Sequence, residues 1–253
     1  MIMLHFGKND ILSDFEPQSW QSVVFNELAS SLTSTARPFP CLFGVAGFKT
    51  DQLRFAFCED MTGSTIAPIL RDFLSRARSY GQNTSLVLFS KPSAVETIHA
   101  YEQQFWSLLR DIALHDVHQW PNDIPEQLDD PVWEFCFAGE PVFVVCNTPA
   151  HVLRQSRRTS TFTLTFQPRW VFDSILDTEE NANKAFAKVR RRLEKFDMLP
   201  PAPVLGKYGD PDNREYQQYF LNETNELPQC PFASLYGPRL SKEPKPSKTE
   251  ELV

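Results

Sequence analysis

One histidine and three arginines stand close together between two Phe- and Val-rich runs: His151, Arg154, Arg157 and Arg158, in the segment AHVLRQSRR. An imidazole at the mouth of an apolar wall, with cations beside it, suits a macrocyclic metal cofactor that carries acidic side groups. Its nitrogen could ligate haem iron while guanidiniums pair with the propionates. Thr148-Pro149 reads as a helix start, with Thr148 as N-cap and Pro149 at the first helical position. If that turn continues, Arg154 and Arg158 fall on the face of His151, and Arg157 falls off it. The same residues equally suit a partly buried histidine capped by backbone, beside solvent-facing arginines.

Other candidates are weaker. His115 and His118, with Asp116 between them, could begin the two-histidine, one-carboxylate triad of a non-haem iron oxygenase. They also fit polar residues closing a helix, where the dipole favours cations. Cys41, after Pro-Phe-Pro, could be a thiolate ligand, but its apolar neighbours Leu42 and Phe43 suit a packed neutral thiol. Cys230-Pro231 matches a haem-regulatory dipeptide and nothing longer. Arg190-Arg191-Arg192 point about 100° apart on a helix and have acidic neighbours, so they read as a solvated face rather than a nucleic-acid stripe. There is no GxGxxG, P-loop, HExxH or GxSxG.

The elements that must position these groups follow from spacing. Trp20, Val23, Val24, Leu28 and Leu32 recur at helical intervals over 18–35, and Arg37-Pro38-Phe39-Pro40 ends that helix. The runs CLFGVAGF and LRFAFCED read as two strands around a turn. A helix over 65–78, the strand 85–90, and a long helix from a Ser93 cap to His115 come next. A proline-rich, acidic loop over 119–132 leads to a hairpin, WEFCF and VFVVC around Ala138-Gly139-Glu140-Pro141, and then to a strand over 161–167. A helix over 179–196 and a short one near 213–221 close the ordered part. Residues 1–240 read as one α+β domain, with a mainly antiparallel sheet packed against several helices and a haem pocket. The charged tail 241–253 reads as disordered.

The net charge of -7 argues against nucleic acid and anionic membranes as partners. No apolar run approaches the roughly 18 residues of a membrane span, and the first residues lack the pattern of a secretory signal. Five cysteines without CxxC pairing suit a reducing cytoplasm. Phenylalanine is frequent at 21 residues and glycine scarce at 9, which fits a Phe-built core or a pocket for a large flat cofactor.

Several segments together resemble the YqcI/YcgG family. They are Pro-Phe-Pro-Cys41, Phe105-Trp106, Trp120-Pro121, Asp130 to Phe135, Gly139-Glu140-Pro141, Asn147 to His151, Ser156-Arg157-Arg158, Phe166 to Arg169, Leu205 to Gly209 and Gln218 to Leu221. The resemblance runs from about Pro38 to Leu221 and implies haem b and a haem-dependent N-oxygenase. Such an enzyme hydroxylates a guanidine or amine nitrogen of a small amino-acid-derived substrate in a biosynthetic pathway. By the same resemblance, the NTPAH histidine His151 is the expected iron ligand; Arg154 and Arg158 are expected as propionate partners only from the helical spacing above. With haem bound, Phe135 and Phe143 of the hairpin are expected to line it, and a cationic substrate would want a carboxylate, for which Glu134 or Asp130 is available. The partners implied are the substrate, O2 or peroxide and an electron donor, with a homo-oligomer allowed. A haem carrier or sensor without turnover, and a non-haem iron oxygenase using His115 and His118, stay open as alternatives.

Overall fold

A computed structural model describes residues 4–173 and 178–226. In chain order the elements are α1 (Lys8–Asp14), α2 (Trp20–Thr33), α3 (Leu42–Lys49), β1 (Arg54–Cys58), α4 (Gly63–Tyr80), β2 (Leu86–Ser90), α5 (Ile98–Leu114), β3 (Cys136–Phe137), β4 (Glu140–Asn147), β5 (Thr163–Pro168), α6 (Trp170–Asp173) and α7 (Glu179–Phe196). The strands form one sheet in the order β1-β2-β5-β4-β3. β1 and β2 run parallel across the α4 crossover, and the other three pairings are antiparallel. This is the expected α+β domain, with a mixed sheet. The tail beyond 226 and Cys230 lie outside the described residues, and the short helix expected near 213–221 is a 3-10 turn at Glu215–Gln218.

The two faces of the sheet do different work, because successive strand residues point to opposite sides. Ala56, Leu86, Leu88, Val142, Val144, Cys146, Leu164 and Phe166 face α4 and α5, whose Ile66, Leu70, Phe73, Phe105, Leu109 and Ile112 complete a dry core. On the other face, Phe55, Val87 and Phe89 pack under α1 and α2 through Ile11, Val24, Phe25 and Leu32. Farther along that second face the packing stops. Phe143, Val145 and Asn147 of β4 and Thr163, Thr165 and Gln167 of β5 look into a cavity instead.

Three expectations fail for identifiable reasons. CLFGVAGF is helix α3 rather than a strand; a short apolar run does not distinguish the two by periodicity. Gly47 lets α3 lie against the chain entering β2, since a Cβ there would sit 2.1 Å from the Asn83 carbonyl oxygen. The long helix α5 is capped by Thr97 rather than Ser93, its hydroxyl accepting from the Ala100 amide at 3.1 Å. The apolar face begins only there, and Val95 is exposed.

The third correction concerns the segment after Thr148. It is no α-helix: only a 3-10 turn forms, at Gln155–Arg157. Thr148 spends its amide on the Arg157 carbonyl at 3.0 Å, and its carbonyl accepts from Thr159 at 3.3 Å, bridging the two ends of the loop. The loop between is held by Glu223, whose carboxylate accepts from three successive amides: Val152 at 3.0 Å, Leu153 at 2.6 Å and Arg154 at 3.0 Å. His151, Arg154 and Arg158 therefore share no helical face.

Candidate functional site

The cavity over the β4–β5 half of the sheet has a volume of about 290 Å3. Its floor is the strand face just described. Its walls come from α2 (Leu28, Leu32), the start of α3 (Cys41, Phe43), α6 (Phe172) and one face of α7 (Phe186, Val189, Arg190, Leu193). Phe172 meets Phe43 and Phe143 edge-on, with ring centres 5.0 and 5.7 Å apart, so the aromatic part of the wall is rigidly packed.

Three arginines line this apolar space, Arg154, Arg157 and Arg190, against one acidic residue, Asp197, and the Arg154 guanidinium reaches on to the 222–225 segment. Arg154 and Arg157 are almost fully buried. Arg154 donates to the carbonyls of Asn222 and Thr224 and to the Asn225 side chain. Arg157 donates to the Tyr219 and Gln218 carbonyls at 3.1 and 2.9 Å. Among the described residues neither reaches a carboxylate within ion-pair distance, because Asp197 accepts from the amide and hydroxyl of Ser156, at 2.6 and 2.8 Å. Burial, reinforced by the neighbouring Arg154 charge, lowers the Arg157 pKa to about 10. A buried cation held only by neutral carbonyls is a place for an anion.

Cys41 caps α3, its Sγ accepting from the Gly44 amide at 3.3 Å. Burial raises its thiol, while the Gly44 and Phe43 amides and the Arg157 and Arg192 charges pull the other way. On the floor, Gln167 is buried and its Nε2 finds no acceptor among the described residues.

Of the residues expected to hold haem or substrate, Arg154 and Phe143 line the cavity, as does Cys41, the weaker thiolate candidate. His151 is not on the wall. It is fully buried, packs on Phe220, and both ring nitrogens are engaged: Nδ1 with the Thr148 hydroxyl at 2.9 Å, Nε2 with the Leu221 carbonyl at 2.8 Å. Burial lowers its pKa to about 4. Arg158 turns back to the carbonyls of Pro149 and His151. Arg157, which a helix would have pointed elsewhere, is the second buried cation. Phe135 lies in the core on the far side of the sheet.

Glu134 is also away from the cavity. It is fully buried, with Arg169 Nη1 3.7 Å from its Oε2 and 3.2 Å from Glu215 Oε1, and that guanidinium lies over the Tyr208 ring. His115 and His118 close α5 on the surface, bound to the Asp111 carbonyl and to Asp116. Among the described residues no three His, Cys, Asp or Glu cluster as a metal site would require, so the non-haem triad has no third member there. Arg190 faces the cavity and Arg192 donates to the Phe39 carbonyl at 2.8 Å, so of that triplet only Arg191 is solvated as expected. No helix is long and apolar enough to cross a membrane among the described residues.

The sequence model described as the YqcI/YcgG family matches residues 28–233. Bacillus subtilis (strain 168) YqcI is 43% identical over 225 residues, covering 85% of this chain and 89% of its own. YcgG of the same organism is 42% identical over 234 residues, covering 87% and 90%. A Streptomyces lavendulae protein named "Putative N(omega)-hydroxy-L-arginine synthase DcsA" is 29% identical over 225 residues, covering 84% of each chain. No solved structure matches the chain.

Proposed function

The chain belongs to the YqcI/YcgG family, and on that premise we propose that it is a haem-dependent N-oxygenase of a small amino-acid-derived molecule. The reaction adds one oxygen atom to a guanidine or amine nitrogen. The observation that carries this reading is the apolar cavity with three arginines and one aspartate on its wall. The relative named for an N-hydroxylated arginine supports nitrogen oxygenation at the level of the family.

The residues present fit haem b by the chemistry of their donors. Phe143, Phe172, Leu28 and Leu32 offer apolar surface to a macrocycle, and Arg154 and Arg157, whose acceptors are carbonyl oxygens, could receive the carboxylates of two acidic side groups. Bound there, haem supplies activation of O2 or peroxide at iron. The chain's own part is to orient and to exclude water. The aromatic wall shields the reacting nitrogen from solvent. Asp197 retains acceptor capacity beyond Ser156 and, as the wall's one carboxylate, can fix a cationic guanidinium or ammonium. Glu134, held by Arg169 elsewhere, leaves that role to it. With O2, one oxygen atom enters the N–O bond and the other leaves as water, balanced by two electrons and two protons from an external donor. With peroxide no donor is needed.

The test is to load purified protein with haem and incubate it with reductant and O2, or with peroxide, and a panel of arginine, its decarboxylated and cyclised relatives and simple amines. A product heavier by one oxygen, labelled from heavy-isotope dioxygen, is expected. Firm haem binding without product or substrate-induced spectral change would identify a carrier or sensor. Absence of haem uptake would overturn the reading.

A further inference from the structure

We propose that the iron ligand in this cavity is the sulfur of Cys41, and that His151 is a brace for the cavity wall. The inference rests on the haem reading above and concerns only which atom holds the iron.

Cys41 is the one histidine or cysteine among the described residues on the cavity wall; His5, His99, His115, His118 and His151 all lie off it. Cys146, on β4, points through the sheet into the opposite core. His151 could reach iron only by giving up both the Thr148 hydroxyl and the Leu221 carbonyl and turning out of its packing on Phe220. Cys41 needs no such rearrangement. It stands at the N-terminus of α3 with the Gly44 amide already directed at its sulfur, an arrangement that favours negative charge on that atom.

Independent features of the same cavity call for a ligand there. Gln167 is buried on the floor with an amide nitrogen that meets no acceptor among the described residues. Arg154 and Arg157 are on the cavity wall with carbonyl oxygens as their acceptors and, among the described residues, no carboxylate within ion-pair distance. A flat apolar group with two carboxylates satisfies these donors at once. On ligation the Cys41 S–H bond is replaced by an iron–sulfur bond and the thiol proton passes to solvent, with no change in oxidation state. A thiolate ligand donates electron density that assists O–O cleavage, in keeping with oxygen transfer to nitrogen.

The test is the absorption spectrum of haem-loaded protein after reduction and exposure to carbon monoxide. Wild type should show the red-shifted Soret band of a thiolate ligand. Cys41→Ser should lose that band and bind haem at least tenfold more weakly, while His151→Gln should keep it. Should Cys41→Ser fail to fold, an iron–sulfur stretch in the resonance Raman spectrum of wild type, shifted in protein carrying sulfur-labelled cysteine, decides between sulfur and imidazole. A histidine-type carbonyl band in wild type, or a thiolate band surviving in folded Cys41→Ser, overturns the assignment and leaves the haem reading intact. No Soret band at all in wild type overturns both.

Discussion

His151 and Leu221, 70 residues apart in the chain, meet across 2.8 Å between the imidazole Nε2 and a backbone carbonyl oxygen. A carbonyl only accepts, so Nε2 carries the proton and Nδ1 accepts from the Thr148 hydroxyl at 2.9 Å. The ring is thereby fixed in one neutral tautomer and joins the end of β4 to the segment that holds both buried arginines.

Acid should weaken that joint. Burial puts the folded-state pKa of His151 near 4, below its ordinary value of 6.5. Between those pH values the unfolded chain binds the proton that the folded one refuses. The joint's contribution is complete above about pH 6.5 and falls away as pH drops towards 4, by on the order of 3 kcal/mol. His5, whose pKa burial also lowers to about 4, adds its own share. Urea unfolding of wild type and His151→Gln at pH 7.5 and pH 4.5 checks this. The variant should lose less stability on acidification, with the His5 share remaining.

The buried arginines should sort by their place on the cavity wall. Arg154→Ala and Arg157→Ala should each weaken haem retention by about one to two decades, the loss of a charge-assisted hydrogen bond of roughly 1.5–3 kcal/mol. Arg158→Ala, whose guanidinium turns back to the loop's own carbonyls, should change it little. A haem titration of the three variants reads the order directly.

Arg169 separates a structural role for Glu134 from a catalytic one. Arg169→Ala leaves Glu134 and Glu215 buried without their shared cation, at a cost of about 3–5 kcal/mol near neutral pH. Burial raises the Glu215 pKa, so acidification should recover part of that loss by neutralising the pair. Glu134→Gln should lower the denaturation midpoint while the folded enzyme keeps its turnover number. A collapse of turnover at unchanged stability would return Glu134 to the chemistry.

Gly47→Ala should cost roughly 2–4 kcal/mol, as expected where a new methyl meets backbone that cannot yield. Because α3 begins at the residue after Cys41, the same substitution should also shift the haem absorption band if any folded protein remains. Calorimetry and the visible spectrum check the two halves separately.

What was legible in the sequence is uneven, and the reasons are physical. Helix α7 could be read to its end residues because Thr178 caps it and its apolar positions recur at helical spacing. The hairpin over 136–147 was legible from its Gly139 turn, which has the positive φ that glycine supplies. The loop from 148 to 158 was not. Thr148-Pro149 has every local mark of a helix start, but Glu223 captures the amides that would have begun it. Nothing in the local pattern signals a carboxylate 70 residues away. The cavity was hidden for a similar reason: its floor alternates Thr, Val, Phe and Gln, which reads as an ordinary solvated strand face. Only the placement of α7 above that face turns it into a chamber.

The acceptors that hold Arg154 in place come from Asn222, Thr224 and Asn225, and those of Arg157 from Gln218 and Tyr219. During synthesis these groups leave the ribosome some 60 to 70 residues after the arginines they restrain. At roughly 5–20 residues per second, the nascent chain spends several seconds with the wall unassembled. The two arginines are therefore fixed only late, after every strand of the sheet has been synthesised.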